Sequence, residues 1–264
     1  MQSDSNNNLS QTHLSKSEST ISDVKQIYYV LHRKPYRESS QLLDLFCEKQ
    51  GRFSALYRVN KKNPPLQPFT PYQMQFSGRG NLKYCQYVEI NYSNFNDTKG
   101  HSLKGRNLYC AFYLNELIMR LTWQAEPQAE LFKVYQQTLH GLLALDTDQQ
   151  SEPLLRRFEF HLLAILGYQY NWQQDSDCRD IQPQQHYYFD PQSGFKAIDV
   201  QAYGGDKNTY GRQKSFPGEA ILAVAKDDWG HELSWKVAKQ IARLALQPLL
   251  GDKPLSSREL FKKF

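Results

Sequence analysis

The spacing of apolar residues changes close to residue 102, and this change is the strongest constraint on the fold. Before it, apolar and polar residues alternate in five short stretches, 26–33, 41–47, 53–59, 72–77 and 82–91. A period of two is typical of β-strands that bury one face. After it, apolar residues recur every three or four positions, as in an amphipathic α-helix. The sequence therefore predicts a β-domain followed by a helical domain.

Turn and break residues separate the five predicted strands. Gly51 and the triplet Gly78-Arg79-Gly80 supply positions that tolerate a positive φ. Asn63-Pro64-Pro65, with Pro68 and Pro71, prevents the third connection from continuing as a strand or a helix. Five short antiparallel strands within about 70 residues favour a five-stranded Greek-key barrel of the OB type. An SH3-like barrel has a similar number of strands and is the structural alternative.

Proline and glycine residues set the expected limits of the helices. The first helix is predicted to end at Glu126-Pro127, the second to begin at Pro127, and the third to run from Pro153 to Gly167. A polar and irregular insert is expected at 171–215, with a candidate strand at 187–189. A helix over 233–250 should end at Gly251, and capping-box spacing at 256–259 predicts a last short helix.

The N-terminal 24 residues are rich in Ser, Asn and Gln, and we expect them to form a disordered tail. They contain no hydrophobic signal region, and no apolar run in the chain reaches membrane-spanning length. The four cysteines stand far apart and form no CxxC motif, which suits a reducing compartment. These patterns predict a soluble cytoplasmic protein with a barrel domain at 25–105 and a helical domain at 106–264.

The positive charge of the chain is concentrated in its first half. Residues 21–110 contain 14 Lys and Arg against 6 Asp and Glu, whereas residues 107–264 contain 17 against 19. An excess of cations on one domain indicates the surface that would meet a polyanion. The alternative is that the excess of cations only keeps a small β-domain soluble. The recurrence of the charge in loops favours binding.

A basic loop between the first two predicted strands contains the leading candidate residues. Arg33, Lys34 and Arg37 would contact phosphates there, and Tyr36 would offer a ring for base stacking. A solvated loop partly paired with Glu38 is the alternative interpretation. Further cations that would extend a DNA-binding track are Arg52, Arg58, Lys61, Lys62, Arg79, Lys83, Lys104 and Arg106.

No catalytic motif accompanies these cations. The sequence lacks a phosphate-binding glycine loop, a metalloprotease helix motif and a nucleophile elbow. Asp227 and Asp228 are adjacent, so on a helix they would point in different directions. We therefore predict a binding protein that is not an enzyme and needs no cofactor. A polyanion is the expected ligand. A protein-interaction adaptor is the alternative from another class, and an RNA-binding OB protein is a further alternative.

Five stretches, in this order, resemble the RecO family of DNA repair and recombination proteins. They are VLHRKPYRESSQLLDLFCEKQGR, LQPFTPYQMQFSGRGNLK, YLNELIMRL, RRFEFHLLAILGY and LGDKPLSSRELFKKF. The resemblance covers nearly the whole chain from about residue 25. It implies an N-terminal OB-fold that binds single-stranded and double-stranded DNA, a helical C-terminal domain, and a role as recombination mediator. Such proteins anneal complementary strands and, with RecR, help to load RecA onto strands covered by single-strand-binding protein, so association with the nucleoid is expected during repair.

The resemblance also suggests a second binding site and one departure from the family. An apolar groove edged by arginine, formed by Arg156, Arg157, Phe158 and Leu162, would suit the acidic, hydrophobic-ended tail of single-strand-binding protein. An ordinary core helix is the alternative for these four residues. Many family members carry a four-cysteine zinc module after the LGY element, but residues 169–199 contain only Cys178. Because structural zinc needs four ligands, we predict that no metal is bound.

Overall fold

The computed structural model describes residues 26–78, 82–91, 102–145, 151–198, 214–230 and 232–261. Its strands are β1 (Ile27–Tyr36), β2 (Ser40–Cys47), β3 (Gly51–Arg58), β4 (Tyr72–Ser77), β5 (Leu82–Ile90), β6 (His186–Asp190), β7 (Gly194–Ala197) and β8 (Ser215–Pro217). Its helices are α1 (Gly105–Leu121), α2 (Ala129–Ala144), α3 (Ser151–Ile165), α4 (Gly218–Ala225), α5 (Glu232–Leu250) and α6 (Ser256–Phe261). A barrel therefore precedes a mainly helical region, as predicted.

The first five strands close into a barrel in the order β1-β2-β3-β5-β4, with β4 paired to β1. All neighbours are antiparallel except β3 and β5, which run parallel. This Greek-key order confirms the OB-type barrel over the SH3-like alternative. The interior is filled by alternate residues of the strands, among them Val30, Leu45 and Ala55, none of which is exposed.

The outer face of the barrel carries the helical region on one half. Tyr29 and Phe46 point away from the barrel interior and belong to the larger core formed with the helices. The ring of Phe46 meets those of Phe132 and Tyr135 on α2 at 5.4 and 5.8 Å. Leu31 joins this core at a register shift in β1, between Val30 and His32. The helices thus cover part of a sheet face that would otherwise be open to ligands.

The β1–β2 hairpin is longer than the sequence predicts. The expected loop at 33–37 is wrong, because β1 continues to Tyr36 and β2 already begins at Ser40. The turn consists of residues 37–39, and Arg37 adopts a left-handed φ of 55°. Since a tight turn closes the hairpin, residues 33–36 pair across it instead of forming a loop.

The ends of the first three helices also differ from the predicted ones. The expected end of α1 at Glu126-Pro127 is wrong, since the helix stops at Leu121 and the chain turns extended. The backbone N–H of Ala125 then donates to the carbonyl oxygen of Arg52 in β3 at 2.7 Å. Helix α2 begins at Ala129 and α3 at Ser151, so Pro127 and Pro153 do not open them. Tertiary pairing with the barrel, which the local sequence does not encode, shortens α1.

The insert is more regular than its polar sequence predicts. The candidate strand at 187–189 is confirmed as part of β6, which lies between β7 and β8 in a three-stranded sheet. Helix α4 follows directly after β8. Buried aromatic residues hold this sheet to the helices, namely Tyr187, Phe189, Phe195 and Phe216. Residues 199–213 of the insert, and the predicted tail at 1–24, lie outside the described residues.

The remaining helix ends follow the predictions. Gly167 and Gly251 follow α3 and α5 with φ values of 90° and 62°, which glycine adopts without strain. The last short helix is confirmed at Ser256, where Glu116 of α1 accepts hydrogen bonds from the N–H groups of Ser256 and Ser257, both at 2.8 Å. Within the described ranges, no helix is long and apolar enough to cross a membrane.

Candidate nucleic-acid interface

The half of the barrel face that the helices leave open is built from β1, β2, β3 and β5. Tyr36 lies opposite Ser40, and Ser40 lies opposite Arg58 on the next strand. Two residues further along, Lys34, Leu42, Leu56 and Tyr84 form a second row across the four strands. Because side chains of one row point to the same side of a sheet, the two rows form one continuous surface. We call it the open face.

The open face combines exposed cations with aromatic and apolar side chains. Lys34 and Arg58 are exposed, as are Tyr36 at 37% and Tyr84 at 49%. The guanidinium of Arg37 lies 5.4 Å from the centre of the Tyr36 ring. Rings and cations side by side are what a nonspecific nucleic-acid surface needs, since bases stack on the rings and phosphates meet the charges.

A second turn brings more positive charge to the end of the open face. The backbone N–H of Val59 donates to the carbonyl oxygen of Ser39 at 2.8 Å, which ties the exit of β3 to the hairpin turn. The side-chain oxygen of Asn60 then accepts hydrogen bonds from the N–H groups of Lys62 and Asn63. Lys61 and Lys62 are exposed on this turn. Within the described residues, Arg37, Arg58, Lys61 and Lys62 have no carboxylate partner.

Arg33 and Arg52 have different surroundings from the other predicted cations. Arg33 lies opposite the inward-pointing Leu43, and its Nη1 donates to the carbonyl oxygen of Leu66 at 2.6 Å. Arg52 donates from Nε and Nη2 to the hydroxyl and carbonyl oxygens of Thr122, at 3.2 and 2.7 Å. Burial lowers the pKa of the Arg52 guanidinium, while the charge of Asp44 acts in the opposite direction. Both guanidinium groups hold chain segments together.

Three more predicted cations, Lys83, Lys104 and Arg106, lie apart from the two rows. Lys83 of β5 is half-buried and lies opposite Ala55. Arg79 lies outside the described residues. Lys104 is exposed at the N-terminus of α1, and Arg106 on the same helix contacts Glu152 of α3 at 2.7 Å. The structure therefore brings together Lys34, Tyr36, Arg37, Arg58, Lys61 and Lys62. It separates from them the described residues Arg33, Arg52, Lys83, Lys104 and Arg106.

A second charged site lies among the helices. It is a cavity of about 360 Å³ lined by Arg106, Tyr113, Glu152, Leu155, Arg156, Glu159, Lys239, Arg243 and Arg258. Five of these side chains are cationic and two are carboxylates. Glu152 accepts a hydrogen bond from Lys239 at 2.6 Å. Burial raises the pKa of Glu152, but Lys239, Arg156 and Arg106 outweigh it and the net pKa is lowered. We call this site the helical cavity.

Buried polar atoms face the helical cavity. Arg156 is only 4% exposed and donates from Nη2 to Glu159 at 2.8 Å, while its Nε has no hydrogen-bond partner among the described atoms. The hydroxyl of Tyr113 donates to the same Glu159 oxygen at 2.5 Å. Burial raises the pKa of Glu159 against the opposing charge of Arg156. The carboxylate oxygens Oε2 of Glu152 and Glu159 likewise have no hydrogen-bond partner among the described atoms, so an anion in the cavity would meet an excess of cations but also two carboxylates.

The predicted arginine-edged groove is not formed by the four residues expected to form it. Phe158 and Leu162 are fully buried in the helical core, so the proposed groove at these positions is wrong. Arg157 is exposed and binds both carboxylate oxygens of Asp227, at 2.8 and 2.7 Å. Of these four predicted residues, only Arg156 lines the helical cavity. Lys239 and Arg243, which line it as well, were missed, because they come from α5, far away in sequence.

The insert is held by aromatic packing. The ring of Trp172 contacts those of Phe160 and Phe195, with centroid distances of 4.7 and 5.3 Å. Cys178 is a free, exposed cysteine. No group of three or more His, Cys, Asp and Glu side chains in the described ranges could hold a metal ion. That this chain binds no zinc stays a prediction.

Comparison with known proteins identifies the family. The family described as Recombination protein O N terminal matches residues 21–94, and Recombination protein O C terminal matches residues 103–259. The chain belongs to the RecO family. It is 38% identical to the DNA repair protein RecO of Pseudoalteromonas atlantica over 241 residues, which cover 89% of this chain and 92% of that protein. The resemblance noted from the sequence is thereby confirmed.

Other RecO proteins show the same extent of similarity. The DNA repair protein RecO of Psychromonas ingrahamii is 38% identical over 88% of this chain and 95% of its own length. That of Pseudomonas aeruginosa is 37% identical over 89% and 94%, respectively. Membership of the RecO family supports a role in DNA repair and recombination. The N-terminal match coincides with the barrel, and the C-terminal match with the helical region.

Proposed function

We propose that this chain is a non-enzymatic recombination mediator that binds DNA on the open face of its barrel without reading the base sequence. The observation that carries the proposal is the pair of exposed rows across β1, β2, β3 and β5 beside a turn rich in lysine. Single strands should stack their bases on Tyr36 and Tyr84, and duplexes should meet only the cations. By holding two strands without selecting sequence, the protein would anneal complementary strands.

Family membership supports the wider setting of this activity. We propose RecR as a partner and RecA loading onto strands covered by single-strand-binding protein as the outcome, in the cytoplasm and on the nucleoid. The helical cavity is proposed to take the C-terminal carboxylate of the acidic tail of single-strand-binding protein. Its surplus of cations, five against two carboxylates, supports an anionic ligand.

The salt dependence of DNA binding tests the open face. Each phosphate contact on a single strand contributes about 0.7 to the slope of log K against log salt. Replacing Arg37 and Arg58 with alanine should therefore lower the magnitude of that slope by about 1.4 on oligo(dT). The matched control replaces Lys226 and Lys253, two exposed lysines of the helical region, and should leave the slope unchanged. Equal slopes for the wild type and the Arg37→Ala/Arg58→Ala variant would contradict the proposal.

The same titration distinguishes the alternatives from a DNA mediator. RNA of matched sequence that binds more tightly than DNA would favour an RNA-binding protein. A wild-type protein that binds neither nucleic acid would favour the adaptor function.

The tail site is tested separately with an acidic peptide that ends in phenylalanine and with the same peptide amidated at its C-terminus. We expect only the free carboxylate to bind, and we expect Arg243→Ala, a change at an exposed residue, to weaken it. Equal affinity for the two peptides would contradict carboxylate capture.

A further inference from the structure

Trp123 is the most exposed large hydrophobic residue that the described ranges contain. Its side chain is 80% exposed, whereas the others of this class are between 37% and 50% exposed. It lies in the segment 122–125 that follows α1. This segment starts extended at Thr122 and turns at Ala125, where φ is 58°. Exposure of an indole to water costs free energy, because burying such a ring normally stabilises a protein. An exposed tryptophan at a fixed position therefore suggests a ligand that covers it.

The segment around Trp123 is held against the barrel by its backbone. Gln124 forms a parallel bridge with Arg52, and the N–H of Ala125 donates to the Arg52 carbonyl. On its other edge, β3 is paired with β2 along its whole length. The segment must therefore lie on the same edge of β3 as β5. Leu82, where β5 begins, lies opposite Ser54.

This register places Trp123 close to the open face. Gln124 lies opposite Arg52, and Leu82 lies opposite Ser54. These two residues of β3 are two positions apart, which is about 7 Å along the strand. The row that contains Leu56 and Tyr84 lies four residues from Arg52, or about 13 Å. A single strand bound on the open face would have to continue over this distance to reach the segment. The backbone of Trp123 thus lies beside the start of β3, about 13 Å along that strand from the row that contains Tyr84.

A cleft of about 620 Å³ beside Trp123 has the chemistry of a nucleotide site. It is lined by Arg52, Met119, Arg120, Leu121, Thr122, Trp123, Gln124, Leu166, Tyr168 and Leu249, with no carboxylate in this set. Arg52 hydrogen-bonds to Thr122, and Arg120 to the carbonyl oxygens of Leu250 and Pro254. These hydrogen-bond acceptors are neutral, and the carboxylates that act on the two guanidinium groups, Asp44 on Arg52 and Glu116 on Arg120, do not line the cleft. Both cations can therefore attract a phosphate that enters the cleft.

We propose that Trp123 is a stacking platform for an unpaired base of a single-stranded nucleic acid. The strand would leave the open face at Tyr84, pass the start of β5 and reach the cleft at the end of α1. Two guanidinium groups and two exposed rings, with no carboxylate among the lining residues, favour this ligand over an acidic peptide or an apolar partner surface. Duplex DNA keeps its bases stacked on each other, so it would not use the indole. The inference rests on the proposed function and adds a site to it.

The test compares Trp123→Ala and Trp123→Phe with the wild type on oligo(dT) and on a duplex of equal length. Removing a stacking ring should weaken oligo(dT) binding about 5- to 150-fold, and phenylalanine should restore most of it. Duplex binding should change less than about twofold. Leu233→Ala is the matched control, since that side chain is also exposed, at 43%, and lies on α5. It should bind both DNAs as the wild type does.

A spectroscopic measurement gives a second readout that a purely structural role would not alter. Oligo(dT) should quench the tryptophan fluorescence of the wild type, and this quenching should be lost in Trp123→Phe, which keeps a ring in place. Unchanged oligo(dT) affinity in Trp123→Ala, or an equal loss on single strands and duplex, would overturn the inference while leaving DNA binding intact. A wild-type protein that binds no DNA would instead refute the proposed function.

Discussion

Asn115 joins the barrel to two helices, and its replacement should show how strongly they are coupled. Its Nδ2 donates to the carbonyl oxygen of Leu31 in β1 at 2.9 Å, and its Oδ1 accepts from the hydroxyl of Tyr135 in α2 at 2.7 Å. Asn115 is 2% exposed and Tyr135 is fully buried, so water cannot replace these bonds without opening the core. Asn115→Ala would leave a buried carbonyl and a buried hydroxyl without these partners.

The magnitude follows from the number of groups left unsatisfied. Each costs about 1 to 3 kcal/mol, so Asn115→Ala should lower the free energy of unfolding by about 2 to 6 kcal/mol. Domain stabilities are about 5 to 15 kcal/mol, which makes this loss large enough to measure. Tyr135→Phe removes one of the two bonds and should cost about 1 to 3 kcal/mol. Urea unfolding followed by circular dichroism gives each value.

A double-mutant cycle separates the hydrogen bond from other effects of the two substitutions. Because Asn115 and Tyr135 share one bond, the double variant should lose less stability than the two single losses added together. Additive losses would show that the bond does not couple the residues. A loss below about 0.5 kcal/mol for Asn115→Ala would refute the reasoning, since it would mean that the buried groups find other partners at little cost.

Further predictions concern Gly51, where the barrel meets the α1–α2 turn, and Glu116, which joins α1 to α6. Gly51→Ala should destabilise the protein and lower its melting temperature, because a Cβ there would lie 1.8 Å from a carbonyl oxygen of the α1–α2 turn and Gly51 has a φ of 63°; a wild-type melting temperature would contradict this close approach. Burial raises the pKa of the Glu116 carboxyl, but hydrogen bonds from Ser257 and Ser256 outweigh it, so the net pKa is lowered. The ionised carboxylate therefore adds stability above its ordinary pKa of 4.5, and this advantage of the wild type over Glu116→Gln should disappear as the pH falls through the lowered value. Urea unfolding of both proteins from neutral pH to about pH 3 checks this, and a difference independent of pH would refute it.

The sequence predicted the parts of the fold that depend on local patterns. The strand at Tyr72–Ser77 has the predicted bounds because a period of two, ended by Gly78, is a local signal. Gly167 and Gly251 end their helices for a similar reason, since positive φ favours glycine whatever surrounds it. The hairpin failed as a prediction because charged residues at 33–37 suggested a loop, whereas cross-strand pairing keeps most of them extended.

The candidate site was predictable in composition but not in arrangement. The excess of cations in the first half of the chain indicated a polyanion, and the ordered motifs indicated the RecO family. Which cations face outward depends on the register shift after Val30, which changes the side of the barrel on which the following residues point. Arg33 and Arg52 resembled the other cations in sequence, yet they bond to Leu66 and Thr122 across the fold.

The sequence by itself determined that this chain forms a basic β-barrel followed by helices, because strand and helix periods and the charge of each segment are properties of neighbouring residues. Tertiary structure alone decided which half of the barrel face stays open, since Tyr29 and Phe46 become buried only when α1 and α2 pack on them. It also decided that Trp123 stands exposed beside β3 and that five cations converge on the helical cavity. These features depend on contacts between distant segments, whose positions follow from packing and not from any local pattern.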